Sequence, residues 1–228
     1  MTVVVLGLLG GCGGDDEAPA EDAAPAAAGE DGVVRYLSIG DSLTQGVGAP
    51  DESTGAFPVV LAERWREDGC EVEVRNVGVS GSTVPQMVDE QVPAVEEASP
   101  TFVTFQGGAN DIVYGVTDEE YREAVGTVLD TAVGAGARVV VLAQNEWFRA
   151  PAAPDYGDVT VFEERRADLD EILLAEAEER GAELVDMRDR HSADADAGRW
   201  VEDGIHPTAE VYAEWADEIT DAVGSPCG

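Results

Sequence analysis

Val33-Val34-Arg35-Tyr36-Leu37-Ser38-Ile39-Gly40-Asp41-Ser42-Leu43-Thr44 runs from β-branched and aromatic side chains directly into a glycine and a short polar turn. Val, Ile and Tyr fit the pleated surface of a sheet, so Val33 to Ile39 reads as a strand that stops at Gly40. Working outward, Phe57 to Glu67 sets Val60, Leu61 and Trp65 on one helical face, and Val72 to Val77 reads as a second strand. A helical or irregular segment through Pro85 and Pro93 leads to a third strand at Thr101 to Gln106. Thr117 followed by Glu120 is a capping-box signature, and it opens a helix in which Tyr121, Ala124, Val125, Val128, Leu129 and Ala132 recur at helical spacing. Arg138 to Ala143 reads as the fourth strand, about Val161 to Arg180 as a helix, and Glu183 to Asp186 as a short fifth strand. The last helix, Thr208 to Val223, carries Val211, Trp215 and Ile219 along one core-facing stripe.

Strands alternating with helices predict an α/β fold in three layers, α/β/α, with a parallel sheet covered on both faces. In such a sheet the ligand sits beyond the carboxyl ends of the strands, near the switch in strand order. A flavodoxin-like five-stranded order, 2-1-3-4-5, sets the loops after strands one, two and three side by side. Those loops carry Ser42, Gly81 and Asn110, so the fold itself is expected to gather them into one cleft.

The chain of 228 residues is 44% hydrophobic, enough for the core of one domain after its N-terminal tail. It has no lysine, and thirteen arginines face 48 acidic side chains for a net charge of −35. A Walker-type phosphate loop and a Schiff-base mechanism both need a lysine and are excluded. The charge also repels phosphate backbones and anionic bilayers, so no nucleic-acid partner is expected. A solvated acidic surface is the simplest reading, and acidic runs such as Asp118-Glu119-Glu120 need only hydration.

Residues 3 to 9, Val-Val-Val-Leu-Gly-Leu-Leu, are far too few to cross a bilayer, for which roughly 20 residues are needed. They read as the core of a secretion signal spanning residues 1–12. Leu9-Gly10-Gly11-Cys12 resembles a bacterial lipobox with Cys12 as the lipidation site. No Lys or Arg precedes the apolar run, a departure that translation from further upstream would explain. Residues 13–32 are a Gly, Ala, Pro, Asp and Glu tract suited to a flexible tether, and residues 33–228 form the folded domain. The expected setting is extracytoplasmic, with contact to the membrane only through a lipid anchor. In an oxidising compartment Cys70 and Cys227 are left either as a disulfide or as two separate thiols.

Four stretches carry chemistry: Gly40-Asp41-Ser42-Leu43-Thr44, Asn76-Val77-Gly78-Val79-Ser80-Gly81, Gly107-Gly108-Ala109-Asn110-Asp111, and Asp203 with His206 in Asp203-Gly204-Ile205-His206-Pro207. Together and in this order they resemble the SGNH (GDSL) hydrolase family, and the resemblance spans roughly residues 33 to 223. A serine hydroxyl attacks an ester only when a neighbouring base accepts its proton. His206 is one of two histidines, and Asp203, three residues before it in a tight turn, can reach the imidazole nitrogen that faces away from the serine. The resemblance implies Ser42 as nucleophile, His206 as base and Asp203 as its orienting carboxylate. It also implies an oxyanion hole made of the Ser42 and Gly81 backbone N–H groups and the Asn110 side-chain amide. Glycine lets backbone come close to substrate, and asparagine is a neutral donor that keeps its proton.

Competing readings follow from the same residues. Gly78-Val79-Ser80-Gly81 begins like a nucleophile elbow, but Ser82 stands where the G-x-S-x-G pattern needs glycine, so Ser80 reads as a loop residue. Gly81 and Gly108 also suit ordinary turns, and Asn110 or Asp111 a local cap. His191, among Arg188, Asp189, Arg190 and Asp194, reads as a surface residue, and Asp41 as a brace for the nucleophile loop. Asp194-Ala195-Asp196 is too sparse for a calcium site, so no metal and no cofactor are expected. The segment Gln144 to Asp158 follows strand four and is expected to overhang the cleft, with Trp147 and Phe148 as pocket wall, or else to be a proline-rich surface loop. The resemblance implies hydrolysis of a carboxylic ester through an acyl-serine; separately, a monomer is expected. Short-chain esters, acetylated saccharides and lysophospholipids all remain open, as do acyl transfer to an acceptor other than water and a non-catalytic glycan-binding module.

Overall fold

The computed structural model of the chain describes residues 27–227; the signal segment, Cys12 and most of the acidic tether lie outside them. Among the described residues the first element is strand β1 (Val33–Ile39), which enters a short helix α1 (Ser42–Gln45). Next come α2 (Glu52–Gly55), α3 (Phe57–Glu67), β2 (Glu71–Asn76), α4 (Val84–Glu90), α5 (Pro93–Ala98) and β3 (Phe102–Phe105). The second half runs α6 (Ala109–Tyr114), α7 (Asp118–Gly134), β4 (Arg138–Leu142), α8 (Val159–Arg180), β5 (Glu183–Val185), α9 (Arg188–Ala197) and α10 (Ala209–Val223). Two 3-10 turns, Trp147–Arg149 and Ala153–Asp155, interrupt the connection between β4 and α8.

All strand pairs are parallel and the order is β2-β1-β3-β4-β5, the doubly wound arrangement expected from the alternation of strands and helices. The pleat explains how one sheet serves two cores. Leu37, Ile39, Val103, Phe105, Val139 and Val141 point to the side covered by α4 to α8. The alternate residues Val34, Tyr36, Phe102, Val140 and Leu142 point to the opposite side, covered by α3 and α10. Every residue of β3 and β4 is buried, as a sheet sandwiched between helices requires. On the α3 and α10 side, Trp65 meets Tyr36 and Phe102 with ring centroids 5.4 and 4.9 Å away. Each such fully buried side chain stabilises the fold by roughly 1.5–3 kcal/mol over its exposed state.

Helix ends follow their sequence signals. The Thr117–Glu120 pair forms a capping box in both directions, and α4 starts with a second one built from Thr83 and Gln86. The polar helix α9 is the main departure. It has no apolar stripe, yet it docks through Arg190 to Glu214 and Glu218 of α10, at 3.0 and 2.9 Å. Its one inward face buries His191, which corrects the expectation of a surface residue: the ring is 4% exposed and stacks edge-on against Trp215 at 4.8 Å. Burial pushes the His191 imidazole down to about 4, against the nearby Ala143 backbone, which favours its charged form.

At the amino end of the sheet the first and last described segments come together. Cys70, just before β2, is disulfide-bonded to Cys227 with Cα atoms 5.7 Å apart, and the Ala27 N–H donates to the Pro226 carbonyl at 2.6 Å.

Candidate active site

Gly40 ends β1 in a space that admits no side chain: a Cβ there would fall 2.1 Å from Thr44 Oγ1 and 2.7 Å from the Gln106 carbonyl. Its backbone is gripped on both sides by the buried Gln91 amide, which accepts the Gly40 N–H and donates to the Gly40 carbonyl, each at 2.9 Å. The next residue, Asp41, caps α1 by accepting the Leu43 N–H at 3.0 Å. Ser42 is thereby the first residue of a helix, where geometry leaves the backbone N–H without an intrahelical acceptor. Burial pushes the Asp41 carboxyl up to about 6, while the Leu43 N–H, Gln106 and the charge of His206 pull it back.

The loop after β2 leans on this turn. The Asn76 amide donates to the Thr44 carbonyl at 2.6 Å, and a Cβ at Gly78 would collide with Gln45 N at 2.6 Å. Gly81 follows at φ +85°, a left-handed conformation that suits glycine. The loop after β3 grips the same stretch from the other side. Asn110 donates its side-chain amide to the Ser82 carbonyl at 3.1 Å, and Asp111 accepts the Val84 N–H. Asp111 has no exposed surface; burial pushes its carboxyl up to about 7 against that N–H, and the nearby Asp41 charge adds to the rise.

Between β5 and α10, Asp203 builds its own turn. Its Oδ1 accepts the Ile205 and His206 N–H groups at 2.9 and 3.0 Å, and its Oδ2 lies 2.7 Å from His206 Nδ1. Partial burial alone would raise the Asp203 carboxyl, but these N–H donors and the imidazole outweigh it and hold it below the usual range. With Nδ1 donating to the carboxylate, Nε2 is left as the basic nitrogen.

A cleft of about 480 Å³, counted to its open mouth, brings these parts together at the carboxyl ends of the strands. Its walls include Asp41, Ser42, Asn110 and His206, with Leu43, Val113, Trp147, Tyr156 and Ile205 as the apolar lining. Among the described residues no hydrogen bond joins the Ser42 hydroxyl to His206; such bonds often tighten only when substrate is present. Gly81 lies in the adjoining loop and is not part of the wall. The expectation for Phe148 is corrected: only Trp147 of the pair lines the cleft, while Phe148 is buried in the core and packs under the Arg166 guanidinium at 5.8 Å. Ser80 is exposed beside Gly81, where its N–H donates to Gln45.

Two contributors were not visible in the sequence. Gln91 is the C-cap of α4 and becomes important only because the fold lays it against Gly40. Asn145 lines the cleft with a buried Oδ1 that meets no protein partner. Among the described residues no group of three or more His, Cys, Asp and Glu side chains is arranged to hold a metal ion.

Residues 38–214 match the GDSL-like Lipase/Acylhydrolase family. An arylesterase of Vibrio mimicus is 26% identical over 187 residues, which cover 81% of this chain and 85% of that protein. Esterase TesA of Pseudomonas aeruginosa is 26% identical over 106 residues, 46% of this chain and 52% of its own. In fold, the chain resembles an acetyl xylan esterase from Geobacillus stearothermophilus at a TM-score of 0.68 and 17% identity, covering 84% of this chain and 95% of that one. The chain belongs to the GDSL-like Lipase/Acylhydrolase family, and with it to the carboxylic ester hydrolases.

Proposed function

We propose that Ser42 is the nucleophile of this hydrolase, His206 its general base and Asp203 the group that orients the base. His206 Nε2 takes the hydroxyl proton as Ser42 Oγ bonds to the ester carbonyl carbon. The carbonyl oxygen becomes an oxyanion, met by the N–H groups of Ser42 and Gly81 and the Asn110 amide. The imidazolium then gives its proton to the departing alcohol oxygen as the C–O bond breaks, which leaves an acyl-serine. Water then attacks the acyl carbon as the same imidazole takes its proton, and the imidazolium returns that proton to Ser42 Oγ as the acyl–Oγ bond breaks and the acid leaves. The observation that carries this reading is the 2.7 Å contact between Asp203 Oδ2 and His206 Nδ1 in a residue pair that shares its cleft with Ser42.

The relatives named for aryl and acetyl esters, together with the compact apolar lining of Leu43, Val113, Trp147 and Tyr156, support esters with short acyl groups. The Cys70–Cys227 bridge and Leu9-Gly10-Gly11-Cys12 support an extracytoplasmic enzyme held by a lipid on Cys12. The test is hydrolysis of p-nitrophenyl esters of increasing chain length. The expected result is activity that falls beyond short chains and is lost in Ser42→Ala; inactivity on every ester would favour a binding module instead.

A further inference from the structure

The charges around the cleft point to the kind of ester it takes. Each of the 13 arginines lies in an ion pair with a carboxylate. With no lysine in the chain, no side chain of fixed positive charge is left to receive an anionic ligand. The cleft itself is lined by no arginine. Arg149, two residues beyond the cleft wall at Trp147, is held by Glu146 at 2.6 Å and by Asp196.

The anions are distributed differently. Exposed carboxylates without an arginine partner stand on the loops that carry the cleft wall: Asp155 and Asp158 flank Tyr156, and Glu202 and Asp203 precede Ile205 and His206. Asp51 and Glu52 follow Gly48, whose Cα is so close to the His206 loop that a Cβ would touch Pro207 O at 2.4 Å. Like charges on the walls of a concave, partly apolar site reinforce one another, and a cleft of one sign alters the local concentration of a charged substrate by 10-fold or more at low salt. Apolar and aromatic walls tolerate a cation, which the faces of Trp147 and Tyr156 attract, but offer a carboxylate or phosphate nothing.

We infer that the cleft selects uncharged and cationic esters over anionic ones, so that esters bearing a phosphate or a free carboxylate are poor substrates. This rests on the ester-hydrolase reading and adds the charge class of its substrate. The probes are three p-nitrophenyl esters with acyl chains of equal length ending in a methyl ester, a carboxylate or a trimethylammonium group. At about 10 mM salt, kcat/KM for the carboxylate ester is expected to be at least about tenfold below that of the methyl ester, through KM, with the cationic ester equal to or above the neutral one. Raising salt to about 0.5 M shrinks the Debye length to a few ångström, and the spread narrows. Asp155→Asn with Glu202→Gln narrows it at low salt. Equal rates on the three esters, a spread indifferent to salt, or one unmoved by that double variant would overturn the charge selection while leaving hydrolysis intact. Inactivity on all three and on p-nitrophenyl acetate would overturn the hydrolase reading and this inference with it.

Discussion

The Asp111 carboxylate holds the Val84 backbone N–H between its two oxygens, at 3.0 and 3.2 Å, one residue along from an Asn110 amide bound to the Ser82 carbonyl. Adjacent residues of α6 therefore grip the two ends of the stretch that follows Gly81. On the proposed mechanism, removing one grip lets the Gly81 N–H drift from the oxyanion it would meet, and such donors are each worth about 10²–10³ in rate. Asp111→Ala is expected to lower kcat by roughly 10- to 100-fold with little change in KM, and Asp111→Asn, which keeps an acceptor, to recover most of the loss. Steady-state kinetics on p-nitrophenyl acetate decides this; an unaffected kcat in the alanine variant would separate Asp111 from the site.

The same carboxyl gives a pH signature. Its folded value of about 7 lies above the 3.8 of an exposed aspartate, so between roughly pH 4 and 7 the unfolded chain releases a proton that the folded chain keeps. Stability conferred by this site is full below pH 4 and is lost as pH rises through 7. Asp41, at about 6, acts in the same direction over a narrower window. The difference in melting temperature, Asp111→Asn minus wild type, is expected to move in favour of the variant from pH 4 to pH 8; a constant difference would contradict the assignment.

Buried His191 works with the opposite sign. Between 6.5 and about 4 the unfolded chain takes up a proton that the folded chain refuses, so stability is lost as pH falls through that window. His191→Leu is expected to cost about 1–2 kcal/mol at pH 8, from the lost ring contact with Trp215. The same variant should show a shallower decline in urea midpoint from pH 6.5 to 4; a decline as steep as wild type would be at odds with a neutral buried ring.

The Cys70–Cys227 bridge joins residues 157 positions apart, at the end of the sheet away from the cleft. Cys227→Ser is expected to lower unfolding free energy by roughly 2–5 kcal/mol, because the uncrosslinked chain gains conformational freedom when it unfolds. Its kcat should match wild type. A loss of activity in a folded variant would mean that the two ends of the sheet are coupled.

The carboxylate beside the base is testable by an isosteric change. Asp203→Asn keeps the turn but presents an amide to His206 Nδ1, which favours the wrong tautomer, and kcat is expected to fall by roughly 10³–10⁴-fold with KM within a few-fold. A tenfold effect or less would reduce Asp203 to a structural role.

Much of this architecture was readable from local rules. The β-branched run Val33–Ile39, the Thr117–Glu120 box and the alternation of strand and helix each have a local physical cause, and together they lead to a parallel sheet in the order β2-β1-β3-β4-β5. Helix α9 was not readable, since its contacts are ion pairs to a helix more than twenty residues away and periodicity senses only apolar burial. His191 was misjudged for the same reason: charged neighbours in the chain say nothing about Trp215, which the fold brings to it. Of the site, Asp203 and His206 declared themselves through a spacing of three residues, whereas Gln91 and Asp111 act across 51 and 27 positions, distances that no local pattern records. Phe148 shows the limit in miniature, since only one of two adjacent aromatics lines the cleft and the sequence does not say which.

The central claim, that one serine carries the acyl group, is tested most directly by mass spectrometry after treatment with diethyl p-nitrophenyl phosphate. A single diethylphosphoryl group is expected on the peptide containing Ser42, formed in step with loss of esterase activity and absent from Ser42→Ala. Inactivation with the label on Ser80 or another residue, or ester hydrolysis that persists in Ser42→Ala, would contradict it.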